Sequence, residues 1–162
     1  MKMTIGNGKW HERFMKTAES VAEWSKDRST KVGCVIVDDN RIILATGYNG
    51  FPRGVDDEIE ERHERPAKYS WTEHAERNAI YSAARNGTKL EDSTIYIPWL
   101  PCADCARGII QSGIKNVVSK RLDKDDPLAK RWAESHDFSK KLMEEGRVRL
   151  YYLEDLLKTE ND

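Results

Sequence analysis

The stretch from His74 to Cys105 restricts this chain more than any other. It opens with His74-Ala75-Glu76 and closes with Pro101-Cys102-Ala103-Asp104-Cys105. One imidazole and two thiols offer three of the four corners of a tetrahedral zinc, and a catalytic zinc keeps the fourth for water. Glu76 stands close enough to the histidine to move protons on and off that water. Two cysteines three apart at a helix start lie on nearly the same face, so one cation can take both sulfurs. The positive end of the helix dipole lowers thiol pKa values and favours the thiolates that metals bind. His74 heads an apolar-periodic run of its own, with Ala75, Ala79, Ala83 and Ala84 among its small residues. Two helix N-termini are therefore expected to converge on one cation.

A cysteine pair at this spacing also suits a structural zinc knuckle or a redox pair. A structural zinc wants a fourth strong ligand, and the only other thiol is Cys34. That residue lies in Val32-Gly33-Cys34-Val35-Ile36-Val37, which reads as a buried strand where cysteine behaves as a small hydrophobe. A redox pair gives no reason for His74 and Glu76. The combination resembles the signature of zinc nucleobase deaminases, which favours a catalytic zinc.

A length of 162 residues suits one domain with a real core, here read as residues 1–162. The formal net charge is -1, from 27 basic and 28 acidic residues. That balance argues against a broad positive field for holding polyanions, while permitting a local basic pocket. Three cysteines, two of them in a metal pattern, do not make a disulfide framework. Met1 to Gly8 has no apolar core of signal-peptide length, and no run is long enough to span a bilayer. A soluble, cytoplasmic protein is expected.

Along the chain, about Trp10 to Lys26 reads as an amphipathic helix whose core side carries Phe14, Ala18 and Ala22, with Met15 and Val21 beside them. Ser25 to Lys31 is a polar loop with three cations, either a solvated connection or a phosphate holder. Val32 to Val37 and Arg41 to Tyr48 predict a hairpin across Asp38-Asp39-Asn40. The second strand runs into Gly47-Tyr48-Asn49-Gly50-Phe51-Pro52-Arg53-Gly54, where glycine and proline fix a tight path. Residues 55–69 form a charged insertion, either a lid or a passive loop, with poor ligands for a second metal. His11 and His136 are expected on the surface. The His74 helix should end near Asn86, with Gly87 as its cap. Strands follow at Thr94–Ile97, Val117–Val118 and Val148–Tyr152, separated by helices from Cys102 to Gly113 and from Pro127 to Glu145. A short terminal helix follows the last strand. This alternation argues an α/β layered sheet.

With these residues in view, the chain resembles deoxycytidylate deaminases of the cytidine-deaminase-like superfamily. The zinc pattern fits several branches. The narrowing features are Gly47 to Gly54, Lys68-Tyr69 and His74-Ala75-Glu76-Arg77-Asn78-Ala79-Ile80. The resemblance implies a five-stranded mixed sheet in a three-layer α-β-α sandwich. It implies zinc on His74, Cys102 and Cys105, with Glu76 as proton shuttle while an activated water attacks C4 of dCMP to give dUMP. It further implies that Asn49 contacts the sugar and that the Ala75 backbone helps hold the base. Lys26 and Arg28 are the candidates for the 5′-phosphate. Family members are commonly homo-oligomers, often hexamers, activated by dCTP and inhibited by dTTP with Mg2+. Gly47, Tyr48, Asn49 and Gly50 resemble the effector-binding segment, and Arg85 resembles a position linked to that control. A pocket for phosphorylated deoxycytidine also leaves dCTP open as a substrate. Two rivals remain. A tRNA adenosine deaminase shares the zinc pattern but needs RNA contacts that the near-neutral charge does not favour. A catalytically silent zinc or nucleotide-sensing module has no use for Glu76.

Overall fold

Apolar β-branched runs and small-residue helices assemble here into a sheet covered on both faces. The structure is a computed structural model that describes residues 8–158; most of the N-terminal stretch read above for a leader lies outside them. The strands are β1 (Gly33–Val37), β2 (Ile43–Tyr48), β3 (Thr94–Tyr96), β4 (Asn116–Ser119) and β5 (Arg149–Tyr152). They lie in the order β2-β1-β3-β4-β5. β1 runs antiparallel to both β2 and β3, while β3, β4 and β5 are parallel. The sheet is therefore mixed, as expected. Parallel neighbours need crossover connections, supplied by α4 (Ala103–Gln111) between β3 and β4 and by α5 (Pro127–Glu145) between β4 and β5.

The two-residue period of the strands divides the core in two. Cys34, Ile36, Ile95, Ile97 and Val117 pack with Ala79, Ala83, Ile109 and Met143, which come from α3 (Ala75–Asn86), α4 and α5. Val35, Val37, Tyr96 and Val118 point the other way, against Phe14, Ala18 and Leu153 of α1 (Gly8–Ala22) and α6 (Leu153–Lys158). These are the three layers of the expected sandwich. β1 is buried along its whole length, as its unbroken apolar run requires.

Gly47 decides how close α3 comes to the sheet. A Cβ there would lie 2.2 Å from the Ala75 carbonyl oxygen and 2.4 Å from the Ala79 nitrogen. Only glycine lets the first turn of α3 rest on β2. At the far end Gly87 takes the left-handed conformation, with φ 68°, and its N–H bonds back to Ala83 and Ala84.

Several expectations need correction. α1 stops at Ala22, and the chain unwinds through i to i+3 bonds at Glu23, Trp24 and Ser25, leaving Trp24 59% exposed. β2 starts at Ile43 because Arg41 sits at φ 69° in the hairpin and the Asp38 carboxylate accepts from the Ile42 nitrogen. His11 is buried, and its Nδ1 lies 2.8 Å from the Tyr96 hydroxyl. The cause is helical phase, which turns His11 to the same side of α1 as Phe14 and Met15. His136 is half-buried, and burial holds its imidazole below the ordinary histidine value. Among the described residues no helix is long and apolar enough to cross a membrane.

Candidate metal centre and substrate cleft

His74 and Cys102 both occupy the N-cap position of a helix, in extended backbone, at the starts of α3 and α4. Their carbonyls accept the first helical bonds, from Asn78 at 3.0 Å and Ala106 at 2.9 Å. Cys105 follows one turn into α4. The ligand atoms of His74, Cys102 and Cys105 all lie within 4.8 Å of one another. The Nδ1 of His74 is 3.4 Å from the Cys102 sulfur and 3.5 Å from the Cys105 sulfur. Tetrahedral zinc with bonds of about 2.3 Å to sulfur and about 2.05 Å to nitrogen sets those atoms about 3.5 Å apart. The donor set and its spacing fit zinc, with Nδ1 as the imidazole ligand.

A hydrogen bond between the two cysteines, with His74 behind it, holds the Cys102 thiol down to about 4. The same contact, together with burial, pushes Cys105 up. Glu76 sits in the first turn of α3, 5% exposed, and lines the cleft beside His74 and Cys102 without joining the ligand cluster. Burial pushes its carboxyl up, with His74 pulling the other way. Cys34 is buried on β1 and bonds to the Ala75 carbonyl at 3.3 Å, as a strand residue packed under α3.

A charged brace, missed in the sequence, ties the two helix starts together. Arg77 Nε donates to Glu73 at 2.6 Å and its guanidinium approaches Asp104 at 3.6 Å. Glu73 also accepts from the His74 nitrogen at 3.0 Å. The i, i+4 spacing of Glu73 and Arg77 was the available signal, but Asp104 joins them only through the fold.

The Gly50–Glu73 bridge brings the glycine-rich loop to the site, with bonds of 3.1 and 2.8 Å. It seats Asn49, which is 8% exposed, in the cleft wall. Asn49 Oδ1 accepts from Val32 at 2.8 Å and Nδ2 donates to Thr30 at 2.9 Å. One acceptor site and one donor of the amide remain for a ligand. Ala75 lines the cleft alongside.

Lys26 and Arg28 do not line this cleft. Lys26 pairs with Asp57 at 2.9 Å and Arg28 pairs with Glu60, so both fasten the insertion to the polar loop. Gly50 and Tyr48 open onto a neighbouring hollow with Trp24, Phe51 and Arg53. Arg85 is exposed on α3, one turn beyond Ser82, which accepts from Arg53 at 3.3 Å. Gly47 is buried beneath α3, where close packing accounts for it.

The insertion forms a 3-10 turn at Glu60–His63 and the short helix α2 at Lys68–Trp71. His63 stacks on Phe51 at 4.9 Å. Lys68 Nζ holds both oxygens of Asp27, at 3.1 and 2.9 Å, and the Ser29 hydroxyl at 2.8 Å. Burial pushes the Asp27 carboxyl up, but bonds from the Thr30 and Ser29 nitrogens and from Lys68 outweigh it and hold it down to about 2. From the other side α5 contributes Arg131, Trp132 and His136, and the Trp132 ring meets the His74 ring edge-on at 6.0 Å. These wall residues carry no motif. Their one sequence signal is an aromatic placed beside a cation in an otherwise polar helix.

The sequence model described as "Cytidine and deoxycytidylate deaminase zinc-binding region" matches residues 8–120. An uncharacterized deaminase in the luxG 3′ region of Aliivibrio fischeri is 42% identical, over 93% of this chain and 98% of the relative. A probable deoxycytidylate deaminase of Caenorhabditis elegans is 40% identical, over 90% of this chain and 70% of the relative. The crystal structure of dCMP deaminase from the cyanophage S-TIM5, in complex with dCMP and dUMP, superposes with a TM-score of 0.71. It is 28% identical, and the match covers 89% of this chain and 96% of the phage chain. A metal triad at two helix starts, a carboxylate beside it and a family match spanning both place this chain in the cytidine and deoxycytidylate deaminase zinc-binding family.

Proposed function

We propose that this chain hydrolyses dCMP to dUMP and ammonia in pyrimidine deoxynucleotide metabolism. The carrying observation is the His74, Cys102 and Cys105 triad at tetrahedral spacing, with Glu76 in the same cleft. Zinc held there supplies Lewis acidity that makes water nucleophilic near neutral pH. Glu76 does the proton work. It takes one proton from the attacking water to N3 of the ring and delivers the other to the amino group leaving C4 as ammonia. Asn49 offers its remaining donor and acceptor to the sugar. The backbone of Ala75, in the first turn of α3, faces the base, because first-turn N–H groups have no partner within their helix. Trp99 and Trp132 give the ring apolar walls.

The finer reading includes regulation. The hollow at Tyr48 and Gly50, with Trp24, Phe51 and Arg53, supports a nucleotide effector, dCTP as activator and dTTP as inhibitor, with Mg2+ on the triphosphate. Trp24 and Tyr48 are 59% and 41% exposed and meet edge-on at 6.0 Å, which supports burial between subunits of a homo-oligomer, by family likeness a hexamer. Three free cysteines support a cytoplasmic setting. The test is ammonia release from deoxycytidine, dCMP and dCTP, each with and without dTTP. Turnover of dCMP is expected, with dCTP as the additional substrate to score. Zinc-loaded protein that leaves all three unchanged overturns the proposal.

A further inference from the structure

The cleft that holds the metal triad is also lined by three cations, Arg65, Lys68 and Arg131. They are not equivalent. Lys68 is saturated, since its ammonium reaches three acceptors on Asp27 and Ser29. Arg65 donates from Nε to the Tyr69 hydroxyl at 3.0 Å and from one terminal nitrogen to the Ser29 hydroxyl at 3.3 Å. Those two contacts fix its plane, involve no carboxylate and leave three of five N–H donors. Arg131 makes no ion pair among the described residues. Lys26, Arg28 and Arg121, outside the cleft, each sit on an acidic partner.

The two arginines line the cleft from separate elements, which touch through Tyr69 and Trp132. Arg65 belongs to the insertion and holds Tyr69, whose ring lies edge-on to Trp132 at 6.4 Å. Arg131 precedes Trp132 in α5, and Trp132 in turn meets His74. A path therefore runs from the metal triad past an aromatic wall to two guanidinium groups with open donors. Guanidinium groups bind phosphate oxygens through paired N–H bonds.

We propose that Arg65 and Arg131 together grip the 5′-phosphate of the substrate and make this cleft select the nucleotide over the nucleoside. This rests on the deaminase reading above. It also assigns the insertion a task, as one jaw of a phosphate clip.

The test separates binding from turnover. Binding of dUMP and deoxyuridine to the zinc-loaded protein is measured by calorimetry, and kcat/KM is measured for dCMP and deoxycytidine. In Arg65→Ala and Arg131→Ala, dUMP affinity should fall about tenfold or more each, and the dCMP to deoxycytidine ratio of kcat/KM should fall with it. Arg131→Lys should restore part of the affinity, because it keeps the charge and loses the fork. Unchanged dUMP affinity in both alanine variants overturns the clip while leaving the deaminase reading intact. Wild-type protein that neither binds dUMP nor releases ammonia from dCMP removes that reading, and the clip falls with it.

Discussion

The metal triad and the charged insertion face each other across one cleft, yet they are held by different forces. His74 and Cys102 are fixed by backbone, as caps of helices that are packed on a buried sheet by residues such as Ala79 and Ile109. The insertion is held through its side chains, by the ion pairs of Lys26 with Asp57, Arg28 with Glu60 and Lys68 with Asp27 and by the His63 stack on Phe51. Buried packing is insensitive to salt, whereas exposed pairs are screened and individually weak. The chemistry therefore sits on the rigid part of the molecule, and the outer wall sits on the part that solution conditions can loosen. Lys68–Asp27 is intermediate, with side chains only 12% and 7% exposed.

The largest effect belongs to the triad side. Cys102→Ser should abolish zinc retention and activity together. Glu76→Ala should keep zinc by elemental analysis and lose about 10²- to 10⁴-fold in kcat. Undiminished activity in Glu76→Ala would refute the proton role. Gly47→Ala comes next, because its new methyl would meet the Ala75 carbonyl at 2.2 Å. Urea unfolding should show a loss of roughly 1–3 kcal/mol, with activity falling as the start of α3 shifts.

Asp27→Asn tests the one well-buried pair of the other wall and should cost about 2 kcal/mol at pH 7. The folded carboxyl lies below its ordinary value of 3.8, at about 2. Its contribution is thus fully present above the ordinary value and disappears as pH falls towards 2. The stability gap between wild type and variant should close across that window in pH-dependent unfolding. A gap that persists at pH 2 would show that packing, not charge, holds Asp27. Arg28→Ala should do least, well under about 1 kcal/mol, and the loss should vanish in high salt. A large loss there would erase the contrast between the two walls.

Most of the sandwich could be read in advance because periodicity is a local property. The bounds of α5 match residue for residue, helped by the Asp126 cap and Pro127 at its start. The triad was legible because helix starts put fixed spacings on fixed faces. The phosphate candidates were harder, since Lys26 and Arg28 look available until Asp57 and Glu60 fold onto them. Arg131 looks like ordinary surface until α5 packs beside the cleft. His11 is the exception, because the phase of α1 already puts it on the core side with Phe14 and Met15, although its Tyr96 partner is 85 residues away. Pairing between distant segments has no signature in either segment alone.

The match to the deaminase family model ends at residue 120, before α5 begins at Pro127. The cleft is therefore built from two stretches of the chain: the family-matched part carries the triad, Glu76, Asn49 and Arg65, and α5 adds Arg131, Trp132 and His136 from beyond it. One wall of the cleft can thus be rewritten within a single late helix while the stretch that carries the metal triad is left as it is.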